Sequence, residues 1–176
     1  MKTAIFIDGA NNHAATRALG FSVDYQKVLS YFNRDKSLLR AFYYTATLPV
    51  PDGEDKLRPL TDWLNYNGYS VVSKVAKTFK DPMTGLTKVK GNMDMELAVD
   101  ALQMCDYVDH IILFTGDGDF AYLVKALQQQ GAMVTVVSTL CEGVNSPPMI
   151  ADELRRAADI FIDLQRIRVF LERDKG

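Results

Sequence analysis

The chain has few cysteines and histidines, no long apolar run and no surplus of positive charge. Its 176 residues include 2 cysteines and 2 histidines. Cys105, in an expected helix, and Cys141, in an expected loop, build neither a disulfide framework nor a zinc spacing, so a reducing compartment is expected. No apolar stretch approaches the roughly 20 residues that cross a bilayer. The apolar residues after Lys2 stop at Asp8, short of the about 7 to 15 residues of a secretion-signal core. A cytoplasmic protein with no membrane association is expected. A net charge of −2 excludes a globally basic nucleic-acid binder, but not a local basic face. No Gly-x-x-x-x-Gly-Lys-Ser/Thr phosphate loop or dinucleotide-binding glycine fingerprint is present, and neither His13 nor His110 has a serine or cysteine in a nucleophile arrangement.

What is present reads as one globular domain over residues 1–176, with a core from about 3 to 164 and a C-terminal helix over about 165–174. Short β-branched runs predict strands near 3–8, 38–47, 69–76, 110–115, 133–138 and 159–163. Helical patterns lie between them. Asp24 caps a helix carrying Val28, Leu29 and Phe32, and residues 54–67 place Leu57, Leu60, Trp63 and Leu64 on an apolar face. Asn92 or Asp94 opens a helix through Cys105, Asp119 or a neighbour opens one through Gln130, and another is expected at 150–157. Gly68 and Gly131 end helices. Residues 80–88, with Pro82 and Gly85, read as a hairpin tip, and 141–148 as a loop. The alternation implies an α/β sandwich with a central, mainly parallel twisted sheet of five to six strands. In such sheets ligands bind beyond the carboxyl ends of the strands, where the strand order reverses.

Two stretches put acids at such ends: "AIFIDGANN" at 4–12 and "FTGDGDF" at 114–120. Asp8, Asp117 and Asp119 follow apolar strands, and Asp94 opens a helix, so three segments deliver carboxylates to one edge. Gathered carboxylates repel and raise each other's pKa unless a cation lies among them. Magnesium or manganese, hard ions that prefer oxygen, would remove the penalty. A cap accounts equally well for Asp8 alone. A cap needs one carboxylate, however, and two flank Gly118, where the backbone is expected to bend freely. Asp100 lies six positions beyond Asp94, about 120° around the helix, and is expected to support the site or form a salt bridge. Glu96 reads as a solvated helix acid.

With Asp8-Gly9-Ala10-Asn11, Lys90-Gly91-Asn92-Met93-Asp94 and Thr115-Gly116-Asp117-Gly118-Asp119-Phe120 in this order, the chain resembles the NYN domain family, in its LabA-like branch of the PIN-like nuclease superfamily. The resemblance runs from about residue 3 to 164. It implies a PIN-like three-layer sandwich and a metal-dependent ribonuclease using magnesium or manganese. By position, Asp8 matches the first-strand metal acid and Asn11 the asparagine after it. Asp94 matches the helix-start acid, and Asp117 and Asp119 the acids after the fourth strand. Lys90 and Thr115 match neighbours that touch phosphate or orient an acid. Thr115 stands where many relatives carry serine.

Lys74, Lys77, Lys80, Lys88 and Lys90 face a single acid, Asp81, between residues 74 and 90. They are expected to track the backbone of RNA, single-stranded or locally unpaired, and a solvated hairpin is the plainer alternative. Tyr43, Tyr44, Tyr66 and Tyr69 could stack on bases, although the first two belong to an expected core strand. A phosphoacceptor receiver would need paired acids after the first strand, and a haloacid-dehalogenase-type phosphatase would need an aspartate where Ala10 stands. A non-catalytic RNA-binding or regulatory module on the same fold is the stronger rival. The C-terminal helix could pack on the core or on a second subunit, which leaves a homodimer possible.

Overall fold

The computed structural model describes residues 1–48 and 55–176. Strands β1 (Thr3–Asp8), β2 (Leu38–Thr47) and β3 (Ser70–Val75) form one half of a sheet, separated by helices α1 (Gly9–Ala18), α2 (Tyr25–Phe32) and α3 (Arg58–Tyr66). A hairpin of β4 (Lys77–Lys80) and β5 (Thr87–Lys90) then leads into α4 (Asp94–Met104). The other half comprises β6 (His110–Phe114), β7 (Met133–Ser138) and β8 (Ile160–Asp163), with α5 (Ala121–Gln129), α6 (Asp152–Ala157) and α7 (Leu164–Leu171). The six-stranded sheet has the order β3-β2-β1-β6-β7-β8, and every pairing within it is parallel. The order reverses between β1 and β6, so the switch point lies where Asp8 and Thr115 leave their strands.

Burial on both faces explains why the central strands read as unbroken apolar runs. Ala4, Ile5, Phe6 and Ile7 are all fully buried. Their side chains alternate: Ile5 and Ile7 join Ile112 and Phe114 beneath α1, α2, α3 and α7. Ala4 and Phe6 join Ile111, Leu113, Val134 and Val136 against α4, α5 and α6. Each large side chain so enclosed contributes roughly 1.5–3 kcal/mol. The result is the expected three-layer sandwich with a parallel core.

Local signals behave as their chemistry dictates. Asp24 accepts from the N–H groups of Gln26 and Lys27, which opens α2. Gly68 and Gly131 terminate α3 and α5 with φ of 90° and 91°, left-handed conformations that cost glycine little. The apolar face expected at 54–67 is weaker than its pattern suggests. Residue 54 lies outside the described residues, Leu57 precedes α3, and Leu57 and Trp63 are each 37% exposed while Leu64 is buried. This helix covers the edge of the sheet at β3, and it meets the core through Leu60 and Leu64. The C-terminal segment packs on the core: Leu164, Ile167 and Leu171 are buried, and the Asp24 N–H donates to the Leu171 carbonyl at 2.8 Å. Its helix ends at Leu171 rather than near residue 174.

The hairpin stands outside the main sheet, but its root is anchored. The Ala76 N–H donates to the Thr47 carbonyl at 2.7 Å. Gly91 lies so close that a Cβ there would come 2.5 Å from that of Ala76.

Candidate metal centre

Two strand ends are stitched together across the switch point. Asp8 closes β1 and caps α1, its Oδ1 accepting from the Asn11 N–H at 3.3 Å. The buried Thr115 hydroxyl donates to Asp8 Oδ2 at 3.1 Å and accepts from the Asp117 N–H at 3.2 Å. Asn11 Oδ1 accepts from the Gly116 N–H at 2.8 Å. Asp117 caps a single 3-10 turn, Gly118–Phe120, by accepting from the Asp119 N–H at 2.9 Å. The sequence places this turn inside the start of the following helix, whereas α5 begins only at Ala121. The capping reading of Asp8 is therefore correct, Asp117 caps its own turn in the same way, and both roles coexist with the gathering of acids at one edge. Asp94 differs. It is the first residue of α4, whose start has no side-chain cap, so its carboxylate is not engaged by the helix end.

Asp94, Asp117 and Asp119 each offer a carboxylate oxygen, and these atoms lie within 4.8 Å of one another. Asp94 and Asp117 are half-buried and Asp119 is exposed. Burial first, then the charges of Asp117, Asp8, Asp119 and Glu96, push the Asp94 carboxyl up to about 6. Burial also raises the Asp8 carboxyl, against the lowering hydrogen bonds from Asn11 and Thr115. Asp8 stands beside the trio. It lines a cavity of about 230 Å³ together with Asn11, Tyr44, Gly91, Asp94 and Asp117, and one oxygen of its carboxylate is held by Asn11 and the other by Thr115. An all-oxygen set of converging anions, one of them holding its proton above its usual range, fits a hard divalent cation such as magnesium or manganese. Asp100 does not reach the trio. Its Oδ2 accepts from the Tyr44 hydroxyl at 2.8 Å, which fixes an aromatic wall of the cavity.

Close approach, not flexibility, explains the glycines here. Gly118 has no left-handed φ, contrary to the free bend expected from its sequence. A Cβ at Gly118 would strike the Glu153 carboxylate and come 3.0 Å from Ala151. At Gly116 the obstacle is the Met149 carbonyl, and the Gly116 carbonyl in turn accepts from the Ala151 N–H at 2.9 Å. Glu153, a further acid brought against the edge from α6, has no local sequence signal. Only the packing of α6 on this loop reveals it.

Residues 2–165 match the NYN domain. The chain belongs to the NYN domain family. It is 39% identical over 175 residues to the low amplitude and bright protein LabA of Synechococcus elongatus, an overlap covering 98% of this chain and 88% of that one. It also resembles the crystal structure of a protein of unknown function from Vibrio parahaemolyticus, with a TM-score of 0.73 at 27% identity over 93% of this chain and 92% of the other.

The remaining lysine candidates of this NYN domain lie on β3 and on the two strands of the hairpin. Lys74 pairs with Glu96 at 2.8 Å, so Glu96 is not simply a solvated acid, and Lys88 pairs with Asp81 at 2.8 Å. Lys77, Lys80 and Lys90 are exposed. Tyr43, Tyr44 and Tyr69 are buried in the core, whereas Tyr66 is 89% exposed on α3. No described helix is long and apolar enough to cross a membrane.

Proposed function

We propose that this NYN domain is a metal-dependent ribonuclease that hydrolyses RNA phosphodiester bonds at the carboxylate edge. The observation that carries the reading is the approach of Asp94, Asp117 and Asp119 oxygens to within 4.8 Å of one another at the switch point of a parallel sheet, where such folds bind ligands. Asp94, Asp117 and Asp119 would hold magnesium or manganese, with Asp8 beside them. When bound, the ion supplies charge neutralisation at the phosphate and acidifies a water molecule. Thr115 and Asn11 keep the Asp8 and Asp117 segments in register, and the Tyr44–Asp100 hydrogen bond stiffens the cavity wall. With the Asp94 carboxyl at about 6, the site is anionic at neutral pH and receptive to a cation. Water oxygen would form the new bond to phosphorus and release a proton to solvent, while the bond to the leaving ribose oxygen breaks and that oxygen takes up a proton from solvent.

The test compares manganese-supplemented cleavage of single-stranded and structured RNA by wild type, Asp94→Asn and Asp117→Asn, each checked for folding by circular dichroism. Loss of cleavage in both folded variants is expected. Cleavage at the wild-type rate rejects the assignment. A second reading, an RNA-binding module without turnover, is favoured by the structural duties of Asp8 and Asp117 as caps, which give these acids a purpose without chemistry. RNA binding by wild type with no metal-dependent cleavage would select it.

A further inference from the structure

The five lysines between residues 74 and 90 are not equivalent. Lys74 and Lys88 are held by Glu96 and Asp81. Across the antiparallel hairpin, Lys77 stands directly opposite Lys90, Thr78 opposite Val89, Phe79 opposite Lys88 and Lys80 opposite Thr87. Side chains alternate between the two faces of a strand. Lys77, Phe79, Lys88 and Lys90 therefore share one face, and Lys80 belongs to the other. Like charges set opposite one another on paired strands repel. Among the described residues, neither Lys77 nor Lys90 has a carboxylate partner. An anion between them would convert the repulsion into a two-pronged grip.

Position gives that rung its meaning. It is the rung nearest the hairpin root, next to the buried Ala76 and the half-buried Gly91, and Gly91 lines the acid cavity together with Asp94 and Asp117. Phe79 lies two residues farther out, roughly 6.6 Å along the strand, and is 48% exposed. An aromatic ring left in water beside lysines is the pairing that suits unpaired nucleotides, because every base offers a flat face and every linkage a negative charge.

We propose that this face is the path by which single-stranded RNA reaches the acid cavity. Lys77 and Lys90 grip a backbone phosphate at the root, and Phe79 stacks on a neighbouring base. The inference rests on the RNA reading of the site and deepens it by selecting one hairpin face and requiring unpaired bases. A duplex keeps its bases stacked inside, out of reach of Phe79.

The test is fluorescence anisotropy of a short labelled single-stranded RNA with the full chain, in chelator, between about 50 and 200 mM salt. The double variant Lys77→Ala, Lys90→Ala is expected to bind about tenfold more weakly or worse, with a flatter salt dependence. Phe79→Ala is expected to lose about fivefold or more with its salt dependence unchanged. Lys80→Ala, on the opposite face, should lose far less than the double variant. Wild-type affinity in the double variant, or an equal loss in Lys80→Ala, overturns the proposal. So does a wild-type chain that binds no single-stranded RNA, which would leave the face to an acidic protein surface. Chelation separates this test from the nuclease test. Normal binding without cleavage sinks the nuclease reading alone, whereas cleavage unchanged in the double variant sinks the path alone.

Discussion

Asn11 and Gly116 are 105 positions apart, yet the Gly116 N–H donates to Asn11 Oδ1 at 2.8 Å. The bond joins the first turn of α1 to the segment leaving β6, across the point where the strand order reverses. Beside it, Thr115 links Asp8 to the Asp117 backbone. The acid edge is thus held by neutral hydrogen-bonding groups that carry none of its charge.

Asn11→Ala leaves the Gly116 N–H, in a buried residue, without its acceptor. A stability loss of about 1–3 kcal/mol in urea unfolding is expected. Manganese affinity, followed by calorimetric titration, should fall about tenfold or more because the Asp117 segment loses an anchor. Asn11→Asp retains an acceptor oxygen but adds a carboxylate beside Asp8 and Asp117, so without metal it should recover less of the stability at neutral pH than toward pH 4. An alanine variant as stable as wild type would show that the bond holds nothing in place.

Thr115→Val preserves shape but removes both the donor to Asp8 and the acceptor for Asp117. About 1–3 kcal/mol of stability should be lost. The Asp8 carboxyl should titrate still higher, because the Thr115 hydrogen bond is one of the influences lowering it; carbon-detected NMR of the side chain reads this directly. Thr115→Ser should restore both properties. An Asp8 titration that does not move in the valine variant would contradict the geometry.

The acid edge makes metal-free stability depend on pH in a definite direction. A carboxyl raised from 3.8 to about 6, as at Asp94, holds its proton more tightly folded than unfolded. Its ionisation therefore penalises folding. The penalty is absent below about 3.8 and complete above about 6. In chelator, Asp94→Asn should melt above wild type at neutral pH, with the gap closing toward pH 4. Added manganese should raise the wild-type melting temperature at neutral pH more than that of the variant. A variant that melts below wild type in neutral chelator would count against crowded charge.

Gly116→Ala and Gly143→Ala separate two reasons for glycine. The first drives a methyl into the Met149 carbonyl, and at least about 2 kcal/mol should be lost as backbone shifts to accommodate it. At Gly143 a methyl would meet nothing within 4 Å, but φ is +73°, and the cost is about 1–2 kcal/mol of backbone strain. Thermal melts rank the two. A smaller loss at Gly116 would mean that the approach of the Met149 segment is loose.

The strands at 38–47 and 133–138 were legible to the residue. The second is buried almost throughout and so must be a short apolar run, the first is marked by its aromatic stretch although Leu39 and Arg40 are exposed, and the limits of both are written locally. The Asp24 cap and the Gly68 and Gly131 terminators were legible for the same reason, since each acts within one helical turn. Asp8, Asp94, Asp117 and Asp119 could be named from their places at strand and helix ends. How their oxygens are used was decided only by the folded chain. Asp94, Asp117 and Asp119 converge, while Asp8 is held by Asn11 and by Thr115, 107 positions away. Likewise, a run of lysines has no faces until hairpin register sets Lys77 against Lys90. Periodicity and capping are short-range properties that a sequence states outright, whereas partnership between distant side chains arises only when the sheet order brings their strand ends together.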